Sequence, residues 1–352
     1  MAGGTINTLC EFMIPLFGFK NNFSKEKFSV GLDIGTQMVK MVKLRFSKGQ
    51  AELFDFNLEP FPSDAQKVLE NIKRSQGAHT LNLSVSGPAT IIRYVNFPRM
   101  NEGELKGALK FEAQKHIPFS INEVQLDSYI IKEDLSANNI LVLLAAVKKE
   151  FLAQRLKIIE EAGLKAHVID MDSLALINAF NFNYSGEEGV DNKAIALLNI
   201  GAAISNLNIM EHGTPRLSRD IHIAGNNFTQ KLMDMLNMDF KSVEELKLNP
   251  QQANADKINA AIDSVSANLA AEIRTSFDYY ESQGALSVAK IFLSGGSSLF
   301  QGLKDILANL LGIEVEYWDP LRQIAISPTV DSQRLKMFSR QLAVAAGLAL
   351  RS

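Results

Sequence analysis

Alternating apolar and polar positions predict a β-hairpin over residues 29–46, with its turn at Gly35–Gln37. The same pattern returns at Ala196–Ile209, where an apolar run meets a glycine and a second strand-like run follows. In both segments one polar residue, Asp33 or Asn199, stands two positions before that glycine. The two copies lie almost half the chain apart. This spacing predicts a duplicated architecture in which two glycine-turned hairpins face each other across a cleft.

Elsewhere the pattern alternates short strands with amphipathic helices, which is typical of an α/β protein. Apolar runs and period-two alternation predict further strands at Ala51–Asn57, Leu81–Ser86, Thr90–Asn96, Val124–Lys132, Ile140–Val147, His167–Asp170, Thr214–Ile223, Ala289–Leu293 and Glu314–Tyr317. Helical periodicity predicts helices at Asp64–Ser75, Glu102–His116, Lys148–Ala162, Ser173–Phe180, Phe228–Leu236, Ser242–Leu248, Asp256–Gln283, Gln301–Leu310 and Phe338–Leu348.

The order of these elements predicts the domain organisation. Between residues 89 and 163 the order is strand, helix, strand, strand, which indicates an inserted module. The polar, turn-rich segment Asn183–Asn192 is typical of a connection between two lobes. We therefore expect an N-terminal extension (1–28), a first lobe (29–88 and 164–182), an inserted subdomain (89–163) and a second lobe (193–352) with a smaller subdomain at about 215–288.

Composition excludes several classes of protein. A chain of 352 residues exceeds one typical hydrophobic core, and its formal net charge of -3 gives no support for a nucleic-acid partner. The single cysteine, Cys10, forms neither a disulfide framework nor a zinc motif, which favours a reducing compartment. The apolar stretch Leu9–Phe19 is shorter than the ~20 residues of a membrane span. It predicts a partly ordered extension or, alternatively, a contact with a membrane surface or a partner.

Three glycine turns carry the candidate chemistry: Gly35-Thr36-Gln37, Gly201-Ala202-Ala203 and Gly295-Gly296-Ser297. Glycine lets backbone N–H groups approach an anion without a side chain in the way, and successive N–H groups form a cradle for phosphate. Asp33, just before the first turn, is placed to hold Mg²⁺ through water. Thr36 and Lys40 are within reach of the same phosphate, unless Lys40 lies on a solvated strand face. The third turn is expected to open a helix, whose N-terminus favours anionic or polar ligand groups. Together the turns predict a nucleotide cleft.

Three stretches resemble the two phosphate motifs and the adenosine motif of the actin-like ATPase superfamily: VGLDIGTQMVKMVKL, LLNIGAAISNLNI and IFLSGGSSLFQGL. The inserted module, with its diagnostic stretch EAQKHIPF, is similar to the PilM family of type IV pilus assembly proteins, relatives of the division protein FtsA. The resemblance covers about residues 29–351. It implies a duplicated actin-like (ribonuclease H-like), two-lobed ATPase fold with an FtsA-like inserted strand-helix-strand-strand subdomain.

The resemblance also implies that ATP, with Mg²⁺, binds between the lobes. Phosphate contacts are then expected from Gly35, Thr36, Gln37 and Lys40 on one side and from Gly201 and Ala202 on the other. The adenosine side is expected to use Gly295, Gly296 and Ser297, and a family segment found here as AGNNFTQKL and VEELK adds Gly225, Glu244 and Lys247 near the ribose or base. The alternative for Glu244 and Lys247 is an exposed helix pair.

One departure from the family pattern bears on hydrolysis. Asn199 stands where these proteins usually carry an aspartate in the second phosphate motif. An amide carries no charge and cannot act as a base, so it weakens magnesium placement and the activation of water. Asp170 and Asp172 offer carboxylates that orient water, or else they cap the helix at Ser173. We expect nucleotide binding with slow or no hydrolysis.

Three functions are compatible with these features. The favoured hypothesis is a cytoplasmic ATP-binding scaffold, peripheral on the inner face of the bacterial inner membrane. The resemblance implies that it docks the cytoplasmic N-terminus of a PilN-like membrane protein and contacts other pilus platform and motor proteins, with self-association left open. The alternatives are a filament or cell-division protein of the FtsA or MreB type and, less favoured, a phosphotransferase of the sugar or acetate kinase type.

Overall fold

The computed structural model describes residues 11–12, 26–60, 69–70, 72–74, 79–135, 138–187, 190, 193–248 and 254–351. Its strands are β1 (Glu11–Phe12), β2 (Lys27–Ile34), β3 (Met38–Ser47), β4 (Gln50–Pro60), β5 (Thr80–Val85), β6 (Thr90–Pro98), β7 (Val124–Leu135), β8 (Asn139–Lys148), β9 (Lys165–Met171), β10 (Ala194–Ile200), β11 (Ser205–Glu211), β12 (Thr214–Ile221), β13 (Val288–Ser294), β14 (Glu314–Tyr317) and β15 (Ala325–Ile326). Its helices are α1 (Glu102–Ala113), α2 (Lys149–Glu161), α3 (Asp172–Tyr184), α4 (Gly225–Leu236), α5 (Phe240–Leu248), α6 (Ala255–Glu281), α7 (Leu303–Leu311), α8 (Ser332–Phe338) and α9 (Ala343–Ala349).

Two sheets share the same topology over five strands each, and the first sheet has β1 and β15 in addition. The first has the order β1-β9-β5-β2-β3-β4-β15, and the second has the order β12-β11-β10-β13-β14. In each sheet a hairpin continues into a third antiparallel strand (β2-β3-β4 and β10-β11-β12), and parallel strands follow on the other side of the first strand. Every residue of β10 is buried because both faces of its sheet are covered. The duplicated architecture predicted from the paired hairpins is confirmed.

The third sheet, β6-β8-β7, forms the inserted module with α1 packed against it. All its strand pairs are antiparallel. Helix α1 begins with a capping box, in which the Asn101 side chain accepts from the Glu104 N–H (3.0 Å) and the Glu104 carboxylate accepts from the Asn101 N–H (2.8 Å). The predicted order of strand, helix, strand, strand is therefore present. We use "the module" below for this sheet with α1.

The two large sheets are joined by an aromatic cluster. Phe180 and Tyr184 lie on α3 beside the first sheet, and Phe292 lies on β13 of the second. The Phe180 ring centroid is 4.8 Å from that of Phe292 and 5.3 Å from that of Trp318. Burial of these large rings fixes α3 between the two halves, since buried aromatic contacts contribute strongly to packing.

The end of the chain returns to the first sheet. The sequence assigned residues 193–352 to the second lobe, but β15 pairs with β4 and α9 packs against β2 and α3. Two glycines make this approach possible: a Cβ on Gly347 would lie 1.8 Å from the Ala175 carbonyl oxygen, and a Cβ on Gly31 would lie 2.1 Å from the Ala345 carbonyl oxygen. All residues of α9 are buried, so this helix needs neighbours on every side.

Most predicted elements are present, with shifted ends. Helix α4 begins at Gly225 rather than Phe228, α3 extends to Tyr184, and the closing helix begins with a 3₁₀ turn over Ser339–Leu342. The third glycine turn opens a 3₁₀ helix, Gly296–Leu299, and not an α-helix. Strands β1 and β15 and helix α8 were not predicted. Of the predicted helix Asp64–Ser75, residues 69–70 and 72–74 are described and helical, and the rest lies outside the described residues.

Among the described residues, no helix combines the length and the hydropathy of a membrane span.

Candidate functional site

The two hairpin turns close with the same hydrogen bond. The Gly35 N–H donates to the Met38 carbonyl oxygen at 3.0 Å, and the Gly201 N–H donates to the Ile204 carbonyl oxygen at 3.0 Å. A Cβ on Gly35 would lie 3.0 Å from the Met38 oxygen, and a Cβ on Gly201 would lie 2.7 Å from the Ile204 oxygen. An added Cβ would overlap the closing carbonyl at Gly201 and crowd it at Gly35, so the duplication extends from sequence pattern to backbone geometry.

The Gly201 carbonyl oxygen is the meeting point of the predicted residues in the second half. It accepts from the Gly225 N–H at 3.0 Å, at the start of α4, and from the Ser297 hydroxyl at 2.9 Å, in the third turn. The Asn226 N–H donates to the Ala202 carbonyl oxygen at 2.7 Å. The structure thus brings together Gly201 and Ala202, which were expected at the phosphates, with Gly225 and Ser297, which were expected near the adenosine.

The third turn depends on a glycine conformation. Gly295 has a φ of 93°, and a Cβ there would lie 2.4 Å from the Ile200 carbonyl oxygen. Its N–H donates to the Arg340 carbonyl oxygen at 2.9 Å, so the turn is tied to the chain's closing segment. Gly296 follows at the start of the 3₁₀ helix. The backbone of β13 can therefore pass directly against β10 and turn beside the second hairpin.

Glu244 and Lys247 form a partly buried cluster beside this turn. The Lys247 ammonium donates to the Glu244 carboxylate at 2.6 Å and to the Thr229 hydroxyl at 2.7 Å, and it lies 4.9 Å from the centroid of the Phe300 ring. The Thr229 hydroxyl also donates to Glu244. Burial lowers the pKa of Lys247, and the Glu244 carboxylate opposes this change. The alternative interpretation, an exposed helix pair, is wrong, because the Lys247 side chain is only 10% exposed.

On the first half, the predicted residues lie around an ion pair. The Lys40 ammonium donates to the Asp33 carboxylate at 2.6 Å, and both side chains are largely buried. Lys40 therefore does not lie on a solvated strand face. Thr36 is exposed at the tip of the turn. The Gln37 amide donates to the Asn226 side-chain oxygen at 2.7 Å, which connects the first turn to the start of α4 on the opposite side of the cleft.

Asp172 lines a cavity of about 220 Å³ that lies between the first residues of the module and β12. The Ser84 hydroxyl donates to its carboxylate at 2.6 Å. Burial, together with the negative charges of Asp33 and Asp220, raises the pKa of the Asp172 carboxyl to about 6. The other polar groups that line the cavity are Ser86, Thr90, Arg93, Ser173, Ser218, Arg219, Asp220 and His222. A carboxyl group with this pKa, close to Asp33, has the properties of a general base.

Asp170 lies apart from this group. Its carboxylate accepts from the Arg351 guanidinium Nε at 2.7 Å and from the Met171 N–H at 2.8 Å. Both Asp170 and Arg351 are buried. Of the two aspartates predicted as candidates to orient water, Asp172 lines the cavity and Asp170 lies in a buried ion pair.

We expect Asp172→Asn to stabilise the protein without nucleotide at neutral pH by up to about 2 kcal/mol. The native pKa of Asp172, about 6, lies above its ordinary value of 3.8, so the folded state binds the extra proton between these values. The stabilisation of the folded state that comes from protonated Asp172 is therefore complete below about pH 4 and is lost as the pH rises through 6. Unfolding by urea at several pH values measures the difference between variant and wild type. A difference that stays constant from pH 4 to pH 7.5 would contradict this account.

The sequence analysis missed several residues of the site. Asn226, Thr229 and Phe300 contact predicted residues directly. The signal for Thr229 was available, because a hydroxyl four residues after Gly225 lies above it on the same helical face. Outside the site, Asn206 accepts a hydrogen bond from Asn199, and Asp220 lines the same cavity as Asp172.

Among the described residues, no cluster of three or more His, Cys, Asp or Glu side chains has the arrangement of a metal site. Mg²⁺ usually keeps several waters and uses one or two protein carboxylates alongside substrate phosphates. The donor set around Asp33 fits such an ion only when it arrives with phosphate.

Comparison with known proteins identifies the family to which the chain belongs. The family profile described as type IV pilus assembly protein PilM matches residues 31–352. A solved PilM-PilN type IV pilus biogenesis complex is similar to the chain with a TM-score of 0.82 and 26% identity, over 92% of this chain and 98% of that chain. Ethanolamine utilization protein EutJ from Carboxydothermus hydrogenoformans is similar in fold, with a TM-score of 0.53 and 12% identity, over 93% of this chain and 90% of that chain.

These similarities agree with the architecture. The duplicated actin-like fold expected from the sequence is confirmed by the two sheets of equal topology and by the solved structures that share it. The profile covers the module, the second sheet and the first sheet apart from β1 and the start of β2. The chain belongs to the family of type IV pilus assembly proteins named PilM.

Proposed function

We propose that this chain is an ATP-binding scaffold of a type IV pilus assembly platform, which binds ATP with Mg²⁺ and hydrolyses it slowly or not at all. It docks the cytoplasmic N-terminus of a PilN-like protein and works at the inner face of the inner membrane beside other platform and motor proteins. The family supports the role in pilus assembly. The main support for nucleotide binding is that the second turn, the third turn and α4 converge on the Gly201 carbonyl oxygen.

ATP fits between the paired turns. Its phosphates lie between Gly35, Thr36 and Gln37 on one side and Gly201 and Ala202 on the other, where glycine leaves the backbone open to an anion. Lys40 neutralises phosphate charge while paired with Asp33, and Asp33 faces Mg²⁺ through water. The adenosine lies against Gly225 and against the turn Gly295-Gly296-Ser297, with Glu244 and Lys247 toward the ribose or base.

Slow turnover is inferred from Asn199. Its amide nitrogen donates to the Asn206 side-chain oxygen at 3.1 Å, and its oxygen accepts from the Ser294 hydroxyl at 3.3 Å. This amide holds strands together and adds no negative charge beside the second turn. Because Asp33 is paired with Lys40 and Asp170 with Arg351, Asp172 is the candidate carboxylate available to activate water, and burial raises its pKa to about 6. Removal of a single charged group from a phosphoryl-transfer site slows chemistry by orders of magnitude.

The docking of a PilN-like peptide is inferred from the similarity to the PilM-PilN complex, which covers 92% of this chain. In this proposal the module supplies the binding surface. It is a compact sheet with its own hydrophobic core, so it can present a rigid surface to a peptide.

Isothermal titration of the purified full chain with ATP and Mg²⁺ tests nucleotide binding, and a steady-state phosphate assay tests turnover. We expect binding in the micromolar range and turnover below about 0.1 per second, well under the usual range for enzymes. Asp172→Asn is expected to remove the residual turnover and leave ATP affinity nearly unchanged. Failure to bind ATP at millimolar concentration, or rapid magnesium-dependent turnover, contradicts the proposal.

Fluorescence anisotropy with a labelled peptide from a PilN-like N-terminus tests the partner. The control is the same peptide with a scrambled order, so that charge and composition are equal. Specific binding of the native order supports the scaffold role. Equal binding of both peptides, or of neither, contradicts it independently of the ATP result.

A further inference from the structure

A row of polar side chains crosses four neighbouring strands of the second sheet. Ser294, Asn199, Asn206 and Asp220 stand directly opposite one another on β13, β10, β11 and β12. Each neighbouring pair is joined by a side-chain hydrogen bond: Ser294 donates to Asn199 at 3.3 Å, Asn199 donates to Asn206 at 3.1 Å and Asn206 donates to Asp220 at 2.8 Å. We call these four residues the polar row. It begins beside the second and third glycine turns.

The far end of the polar row reaches the module. The second carboxylate oxygen of Asp220 accepts from the Gly87 N–H at 2.8 Å. Gly87 has a φ of 97°, and its carbonyl oxygen accepts from the Thr90 N–H at 2.9 Å. This tight turn leads directly into β6, the first strand of the module. The hydrogen bonds are therefore continuous from Ser294 and Asn199, at the ends of the strands that lead into the third and second turns, to the point where the chain enters the module.

A second contact joins the same two places. A Cβ on Gly87 would lie 3.1 Å from the Cδ1 atom of Ile204. Ile204 closes the second turn, because its carbonyl oxygen accepts from the Gly201 N–H. Gly87 is therefore fixed by the polar row on one side and lies against the turn itself on the other. A shift of the turn when nucleotide binds has to move Gly87 or break one of these contacts.

The hydrogen bonds between Asn199, Asn206 and Asp220 can run in only one donor-to-acceptor direction. The carboxylate of Asp220 only accepts hydrogen bonds, so the Asn206 nitrogen must point toward it and the Asn206 oxygen toward Asn199. Asn199 must then donate with its own amide nitrogen. An aspartate at position 199 has no donor and would face the Asn206 oxygen without a hydrogen bond. The row therefore accounts for the amide at this position.

We propose that Asn206 and Asp220 are positioning residues that couple nucleotide occupancy at the second turn to the position of the module entry at Gly87. This inference rests on the proposed function, because it needs a nucleotide beside Gly201. Coupling of this kind needs a contiguous set of contacts that two sites bias in common, and the polar row with Ile204 is such a set. A partner bound to the module then senses the nucleotide through these residues.

Hydrogen–deuterium exchange of the full chain, with and without the ATP analogue AMPPNP and Mg²⁺, tests the coupling. In the wild type we expect exchange over residues 86–98 to change by at least about fivefold on nucleotide binding. In Asn206→Leu the nucleotide still binds, but the change over these residues falls to less than about twofold. Asp220→Asn, a milder variant, is expected to give an intermediate value, because one amide oxygen must replace two carboxylate oxygens.

Asn208→Leu is the matched control. Asn208 lies two residues from Asn206 on the same face of β11, is equally buried, and accepts from the Ser218 hydroxyl at 2.6 Å. Ser218 in turn contacts the Tyr94 hydroxyl of the module at 2.9 Å, but the neighbour of Asn208 on β10 is Leu197, which continues no polar row. We expect this variant to lose similar stability and to keep the full nucleotide-dependent change.

The outcomes are separable. If AMPPNP does not bind the wild type, the proposed function fails and the coupling fails with it. If AMPPNP binds but exchange over residues 86–98 does not change, the coupling alone is wrong, and this result needs no variant to fold. If Asn206→Leu and Asn208→Leu behave alike, the polar row has only a structural role and the inference is overturned.

Discussion

Arg351→Met is expected to lower the free energy of unfolding by about 3–5 kcal/mol, which is a large fraction of the stability of a typical domain. Asp170 is 0% exposed and Arg351 is 3% exposed, and the guanidinium Nε lies 2.7 Å from the carboxylate. Methionine fills most of the same volume but leaves the Asp170 charge buried without a cation. Urea unfolding monitored by circular dichroism at pH 7.5 measures the loss.

A double variant separates the charge effect from the packing effect. Asp170→Leu combined with Arg351→Met removes both charges, and replacement of a whole buried ion pair by apolar side chains is often neutral or stabilising. We therefore expect the double variant to recover most of the stability that Arg351→Met loses. A double variant as unstable as the sum of the two single variants would show that the pair contributes through packing alone.

This ion pair marks one limit of what the sequence can predict. The pattern Asp170-Met171-Asp172 placed two carboxylates at the start of a helix but gave no means of choosing between them. Their surroundings differ because β9 ends at Met171 and α3 begins at Asp172, so the two carboxylates belong to different elements. The residue that pairs with Asp170, Arg351, comes from the segment that follows α9. The partner lies 181 positions away in the sequence, and no local pattern links the two.

The hairpin turns show the opposite case. Gly35 and Gly201 were predicted from short local patterns, and their equal closing hydrogen bonds follow from local backbone geometry. Lys247 lies between these cases. Its place on a helix was predictable, but its burial depends on Phe300, a residue from the segment after the third turn. Local sequence patterns thus predicted positions whose geometry depends on their own turn. They were less informative about positions whose environment depends on strand register or on distant segments.

Gly201→Ala is expected to weaken ATP binding by at least about 100-fold, which corresponds to about 2.8 kcal/mol. A Cβ at this position would lie 2.7 Å from the backbone oxygen of Ile204, and backbone cannot rotate away as a side chain does. The turn must open, and the Gly201 carbonyl oxygen must leave Gly225 and Ser297, which both donate to it. Because the Gly201 carbonyl is where α4 and the third turn meet, one added methyl group disturbs both sides of the nucleotide. Isothermal titration with ATP and Mg²⁺ measures the change.

Two further variants show whether the effect belongs to this turn. A Cβ on Gly35 would lie 3.0 Å from the Met38 oxygen, a milder overlap, so Gly35→Ala is expected to weaken ATP binding by only about tenfold. Gly107 lies on α1 with nothing within 4 Å of an added Cβ, so Gly107→Ala should leave ATP affinity unchanged and stabilise the helix by up to about 1 kcal/mol. If Gly201→Ala binds ATP as well as Gly107→Ala does, the phosphates do not lie at the second turn. The order of the three affinities, with Gly107→Ala tightest and Gly201→Ala weakest, therefore tests the site by backbone geometry alone, because no charged group changes in any of them.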